Sequence, residues 1–242
     1  PVTTDQSTAP NDASPPRRAV LSTALAYAVA GWLGLMLAIP PGYASPVFPA
    51  AGLALGCALW AGRPSVAGVW LGSVFLNLTH AWWGGTSTAT GALAALAIGT
   101  GAALQAALGS WLVRRLLGPS WRSLEREADT LRFLVLGGVV AGTTSALVGT
   151  SALFAVDTIE REEVLFTLWT WYVGDVLGIF VFAPLTLAVL DRKSALAKER
   201  RRRVVVPLLL TLGLAAGVCH GGALLERAEQ RRILASDGGQ FS

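Results

Sequence analysis

The stretch from residue 164 to residue 190, VLFTLWTWYVGDVLGIFVFAPLTLAVL, contains one charged side chain, that of Asp175. A helix of this length, rising about 1.5 Å per residue, crosses the roughly 30 Å hydrocarbon core of a bilayer. The whole chain of 242 residues is 53% apolar and only 14% charged, whereas soluble domains carry about a quarter charged residues. The composition therefore indicates a membrane protein rather than a soluble globule.

Six further apolar stretches predict an all-α, polytopic bundle of about seven transmembrane helices. With residues 164–190, the predicted spans are residues 19–39, 48–62, 65–83, 89–113, 133–156 and 204–225. The second span is short, so we expect it to be tilted, or partly replaced by the proline-rich segment before it dipping inward. Residues 1–18 precede the first span and are expected to be a disordered cytoplasmic segment.

Arginine and lysine residues are spread unevenly over the loops, and this predicts the topology. If the N-terminus, with Arg17 and Arg18, lies in the cytoplasm, 15 of the 19 basic residues fall on that side, as the positive-inside rule requires. Seven spans then place the C-terminus in the periplasm, and residues 226–242 are expected to begin a periplasmic segment. The basic run 198–203 is interpreted as a stop signal at an anionic leaflet, so the lipid bilayer is an expected partner and nucleic acid is not.

Asp175 is the one charged residue inside a predicted span. A mid-membrane aspartate costs about 2.5–3.5 kcal/mol on insertion scales, so its side chain should face protein or water and have a partner. No basic residue lies at its depth. The alternatives are a protonated acid that donates a hydrogen bond to a ligand, Asn77 or Gln105, a hydrogen-bonded carboxylate, or the wall of a wet cavity. A plain helix–helix hydrogen bond remains the structural alternative to a functional site.

Polar and aromatic residues of the spans are concentrated in the predicted outer half of the bilayer. Trp171, Tyr172 and Asp175 share a helical face, and the segment 43–49 is predicted to line the mouth of a pocket open to the periplasm. Rings with few polar groups favour a small apolar or amphiphilic signal molecule with one hydrogen-bonding head. The predicted ligand-binding residues are Tyr43, Ser45, Phe48, Asn77, His80, Thr150, Ser151, Trp169, Trp171, Tyr172 and Asp175.

The low cysteine and histidine content argues against a metal site or a bound cofactor. Two cysteines and two histidines leave little basis for a disulfide scaffold or a metal site, and no cofactor is expected. Small-residue pairs predict tight helix packing; these pairs are Gly52/Gly56, Gly68/Gly72, Gly138/Gly142, Gly174/Gly178, Gly213/Gly217 and Gly217/Gly221.

Three stretches carry a resemblance to a known family. They are residues 44–54 (ASPVFPAAGLA), 71–78 (LGSVFLNL) and 169–178 (WTWYVGDVLG), the last followed by Ala183-Pro184-Leu185. They resemble the membrane-associated sensor domain of the first MASE type (MASE1), although Phe48 stands where that family usually has tryptophan. This domain is the integral-membrane input module of bacterial histidine kinases and cyclic-di-GMP enzymes. The resemblance covers about residues 19–225.

The resemblance implies a multi-pass sensor domain in the bacterial inner membrane, expected to act as a homodimer in the full-length receptor. No kinase histidine box, ATP-binding motif or Gly-Gly-Asp-Glu-Phe signature occurs in the sequence, so the chain is expected to be a non-enzymatic sensor fragment. The alternative is a solute carrier, or the substrate-binding subunit of a transporter. A carrier also needs a polar path through the inner half, for which only Gln105, Thr143 and Thr144 offer hints.

Overall fold

The computed structural model describes residues 16–36, 45–86, 88–122 and 126–190. Tyr43, both chain termini and the predicted seventh span, 204–225, lie outside the described residues. The helices are α1 (Pro16–Leu35), α2 (Pro49–Ala61), α3 (Arg63–Trp83), α4 (Thr88–Leu117), α5 (Glu127–Leu134), α6 (Ala141–Ala155) and α7 (Val164–Leu190). Over these ranges the chain has no strand, which confirms the all-α prediction.

Four helical stretches are long and apolar enough to cross a membrane by length and composition: Pro16–Leu35, Ala89–Arg122, Glu127–Ala155 and Arg161–Leu190. Helix α2 is apolar but has only 13 residues. Helix α3 has 21 residues, and its polar residues, among them Ser73, Asn77 and His80, make it less apolar than these four. The count of seven spans and the orientation of the termini stay predictions.

The short helix α2 lies inside the bundle. Helices α1, α3, α4, α6 and α7 pack side by side in that order, and α2 contacts α1, α3, α4 and α7. Nine of the 13 residues of α2 are buried, and they include Leu55 and Leu59. Its small side chains let the surrounding helices come close. The shortest apolar helix is therefore the centre of the packing.

Extended backbone precedes α2 and lies against the middle of α7. The Phe48 N–H donates to the Gly174 carbonyl at 2.9 Å. A Cβ atom on Gly174 would overlap the Ser45 carbonyl oxygen, and one on Gly178 would overlap the Phe48 carbonyl oxygen. The Gly174/Gly178 pair thus makes room for residues 45–48. Non-helical backbone is tolerated inside a membrane where protein buries it or where it lines a cavity.

Charges collect at the two ends of the bundle. At the end where α1 and α3 begin and where α2, α4 and α7 finish, the described residues include eight arginines: Arg17, Arg18, Arg63, Arg114, Arg115, Arg122, Arg126 and Arg132. We call this the arginine-rich end. The connection between α6 and α7, at the opposite end, carries Asp157, Glu160, Glu162 and Glu163 with Arg161, and we call this the acidic end.

A π-helical segment, Val135–Val140, joins α5 to α6. Its glycines allow close packing, since a Cβ on Gly137 would meet Leu55 and one on Gly138 would meet Phe180. The Val139 carbonyl accepts a hydrogen bond from the Tyr172 hydroxyl at 3.2 Å. The segment is therefore fixed by contacts with α2 and α7.

Candidate ligand-binding site

An open cavity lies between the segment 45–48 and helices α1, α3, α4, α6 and α7. Its volume is about 30 Å³, which gives room for about two water molecules. Both apolar and polar side chains line it: Tyr27, Leu35, Ser45, Phe48, Ser73, Leu76, Asn77, Ile98, Ala102, Ser145, Trp171 and Asp175.

Asp175 forms the polar side of the cavity. It lies about 16 Å along α7 from the start of that helix, and it is only 2% exposed. The side chains of Ser145 on α6 and Gln105 on α4 lie beside its carboxyl group. Yet neither Asp175 Oδ2 nor Gln105 Nε2 has a partner at full hydrogen-bonding geometry. Because buried polar atoms are nearly always satisfied, this pair marks a place where a ligand group or water can bind.

Tyr27, Ser73 and Asn77 extend the polar side across the cavity. The Tyr27 side chain faces Ser73 and lies near enough to Asp175 to interact with its charge. The Asn77 amide nitrogen donates to the Ser73 carbonyl at 2.8 Å. We call the six residues Tyr27, Ser73, Asn77, Gln105, Ser145 and Asp175 the polar cluster. None of the described residues that line the cavity is basic, so within the described part of the chain the cluster has no cation beside it.

Residues 45–48 form one wall of the cavity and are held by their own contacts. The Ser45 hydroxyl donates to the Val47 carbonyl at 2.8 Å. The Phe48 ring packs edge-on against Tyr27, with ring centroids 6.3 Å apart. Together with the backbone hydrogen bond to Gly174, these contacts connect the cavity wall to both α1 and α7.

Trp171 forms another, aromatic part of the cavity wall. A Cβ on Gly149 would lie 2.6 Å from its ring, so a glycine on α6 leaves the space that the indole occupies. The ring therefore lies between α6 and α7, one helical turn before Asp175 on the same face of α7.

The structure brings five predicted site residues together at the cavity: Ser45, Phe48, Asn77, Trp171 and Asp175. It places the other described ones elsewhere. Trp169 is 64% exposed, and Tyr172 points its hydroxyl at Val139. His80 is half-buried near the end of α3, Thr150 is buried without lining the cavity, and Ser151 is exposed.

Several cavity residues were absent from the predicted set. Tyr27, Ser73 and Ser145 are polar residues within apolar helices, and that signal was available in the sequence. Leu35, Leu76, Ile98 and Ala102 are apolar residues in apolar helices, and nothing in their local sequence distinguishes them from residues that pack against a neighbour.

Comparison with known proteins identifies the family of the chain. The MASE1 family model matches residues 19–225, which is most of the chain. No curated protein and no solved structure matches. The matched region contains every described helix except the first turn of α1. The chain therefore belongs to the MASE1 family of membrane sensory domains.

Proposed function

We propose that this chain is a sensory input domain that binds a small, largely apolar molecule from the extracytoplasmic side and has no catalytic role of its own. One observation carries the proposal. The three stretches that carry the family resemblance, 44–54, 71–78 and 169–178, are far apart in the sequence, and each contributes side chains to the same cavity. Ser45 and Phe48 come from the first, Asn77 from the second, and Asp175 from the third.

The lining of the cavity supports an amphiphilic ligand. Leu35, Phe48, Leu76, Ile98 and Trp171 offer apolar area, while Tyr27, Ser73, Asn77, Ser145 and Asp175 offer a few directional groups. Specific small-molecule sites combine these two features. A protonated fatty acid, an acylated lactone or an aromatic metabolite would place its apolar part against the rings and its hydrogen-bonding head near Asp175.

Ligand entry provides a physical basis for signalling. A cavity of about 30 Å³ is too small for an acyl chain or an aromatic ring, so the ligand must move the walls apart. The walls are Trp171 on α7 and Phe48, whose backbone is hydrogen-bonded to α7 at Gly174. We propose that this displacement moves α7 relative to α2, and that the movement reaches the arginine-rich end.

The packing beyond the polar cluster supports a sensor over a carrier. Toward the arginine-rich end, the bundle is filled by Leu55, Leu59, Val113, Phe133 and Ile179, all fully buried. A carrier would need a polar path through this half. Thr143, one hint of such a path, is exposed and bonds the Val140 carbonyl of its own helix.

We place the arginine-rich end in the cytoplasm of a bacterium, with the protein in the inner membrane, because eight arginines lie at that end and four acidic residues at the other. In the full-length receptor, proposed to be a homodimer, the output partner would be a histidine kinase or a cyclic-di-GMP enzyme.

The experiment compares two tryptophans that are two residues apart. Binding of a fluorescent medium-chain fatty acid to the purified chain in lipid nanodiscs is measured for wild type, Trp171→Ala and Trp169→Ala. We expect Trp171→Ala to weaken binding about tenfold or more, since it removes a cavity wall. Trp169→Ala should leave binding unchanged because Trp169 lies on the surface. Equal effects of both variants, or tight binding of a sugar phosphate that Trp171→Ala does not alter, would contradict the proposal.

A further inference from the structure

We infer that the polar cluster binds a monovalent alkali cation, with the Asp175 carboxylate as its one charged ligand. This inference goes beyond the proposed function, because it concerns an inorganic ion and needs no organic signal to be present. It rests on three observations: a buried carboxyl group without a protein cation, a set of neutral polar side chains around it, and a cavity of matching size.

The carboxyl group of Asp175 lacks a charge partner within the described residues. A buried charge has to be paired, coordinated or neutralised, and none of the described residues lining the cavity is basic. Arg114, on the neighbouring α4, is engaged elsewhere. Its guanidinium donates to the carbonyls of Leu59 at 2.7 Å and Ala58 at 3.1 Å, at the end of α2. A small cation from solution can supply the missing charge.

The surrounding side chains supply oxygen atoms, which alkali and other hard cations prefer. Ser145 and Gln105 lie beside the carboxyl group, and Tyr27 and Ser73 also line the cavity. Asn77 donates its amide nitrogen to the Ser73 carbonyl, which leaves its amide oxygen available. The Gln105 amide, whose Nε2 has no partner at full hydrogen-bonding geometry, is free to turn its oxygen toward an ion that binds beside the carboxyl group.

The charge and size of the site select the class of ion. One carboxylate balances one positive charge, whereas a divalent ion would leave a buried excess charge. The described residues contain no group of three or more histidine, cysteine, aspartate or glutamate side chains that could hold a metal, so a transition metal lacks ligands. A cavity of about 30 Å³ accepts a sodium-sized ion with a water molecule. The cavity is only partly enclosed by the described residues.

The first test measures the thermal unfolding midpoint of the purified 242-residue chain in lipid nanodiscs as sodium chloride replaces choline chloride at constant ionic strength. Wild type should unfold at higher temperature as sodium rises, because an ion that binds only the folded state stabilises it. Asp175→Asn and Asp175→Ala should lose this dependence whatever their stability in choline. Asp129→Asn removes a carboxylate near the arginine-rich end, outside the cavity. The unfolding midpoint of this control variant should still rise with sodium.

A second comparison uses variants that are expected to fold normally. Ser145→Ala removes an oxygen from the cluster and should raise the sodium concentration needed for half of the stabilisation by about tenfold. Ser110→Ala removes a buried hydroxyl that bonds Ala107 within α4 and should leave that concentration unchanged. Binding of radioactive sodium, competed by lithium, potassium or calcium, measures the ion directly.

Competition by lithium or potassium but not by calcium supports the inference, as does the loss of bound sodium in Asp175→Asn. Wild type that neither binds radioactive sodium nor responds to sodium or potassium would overturn it, and Asp175 would then be neutralised by a proton. A sodium effect that persists in Asp175→Ala, or stronger binding of calcium, would also overturn it. Because no organic ligand is present, these outcomes are separate from the fatty-acid experiment.

Discussion

The two halves of the bundle, on either side of Asp175, are built from the same helices but packed in different ways. In the half toward the arginine-rich end, Leu55, Leu59, Phe133 and Ile179 form a closed apolar core. In the half toward the acidic end, the helices leave a cavity lined by rings and by every residue of the polar cluster except Gln105. We call these the closed half and the open half.

The comparison indicates how one small bundle can be both stable and responsive. Protein interiors are packed at the density of organic crystals, so a closed core deforms little. A cavity with unpaired polar atoms is the region where a ligand can change the packing. In the proposed sensor, the closed half would therefore act as the anchor, and the open half as the part that a signal alters. Each prediction below tests this division, from the largest expected effect to the smallest.

Phe133→Ala should produce the largest loss of stability. Phe133 is fully buried in the closed half, and truncating such a ring leaves a void that costs about 3–5 kcal/mol. Phe48→Ala, in the open half, should cost less because Phe48 is only partly buried and already lines a cavity. Chemical unfolding in detergent micelles measures both. If Phe48→Ala lowered the free energy of unfolding as much as Phe133→Ala does, the two halves would not differ in packing as described.

Gly178→Ala should destabilise the protein by about 1–3 kcal/mol, because overpacking forces side chains and backbone to shift. Here the added methyl would overlap the Phe48 carbonyl oxygen, which is backbone. Gly142→Ala is the matched control, since its Cβ would meet Val176 and Tyr172 at ordinary distances, 3.4 Å or more. In nanodiscs, the thermal unfolding midpoint of Gly178→Ala should be clearly lower than that of Gly142→Ala. Equal midpoints would show that the contact between residues 45–48 and α7 is not tight.

Tyr172→Phe should have the smallest effect, below about 1 kcal/mol. The variant removes the hydroxyl that donates to the Val139 carbonyl in the π-helical segment, at a position that is partly exposed. Fatty-acid binding should be unchanged because Tyr172 does not line the cavity. A binding loss as large as that of Trp171→Ala would mean that Tyr172 reaches the ligand after all.

Hydropathy alone predicted the positions of most of the described helices. The prediction of a span over residues 164–190 coincides with α7, Val164–Leu190, and that over residues 65–83 differs from α3 by two residues at its start. The helix predicted from residue 133 instead begins at Glu127, because its first turns are polar and a hydropathy pattern does not include them. The hydropathy pattern did not indicate the π-helical segment, since a shift in backbone hydrogen bonding does not change which residues are apolar.

The site was harder to predict than the helices. Polar residues inside apolar spans, such as Asp175 and Asn77, are conspicuous in the sequence because burial in lipid is costly. The sequence does not show in which direction an aromatic ring points. Trp169 and Trp171 lie about 200° apart around the helix axis, so one faces outward while the other faces the cavity. Tyr172 shares a broad helical face with Asp175, but the cavity is narrower than that face.

The most direct test of the central claim, that the open half holds the signal site, is the response of the full-length receptor when Asp175 is changed. Asp175→Asn keeps the shape of the side chain and its ability to hydrogen-bond, whereas Asp175→Ala leaves the buried Ser145 side chain without the carboxyl group beside it, at a cost of roughly 1–3 kcal/mol. Output activity is measured with and without signal, at matched membrane levels of each variant. The account predicts that the response survives in Asp175→Asn better than in Asp175→Ala. A wild-type response from Asp175→Ala would contradict it and would leave Asp175 as a packing residue.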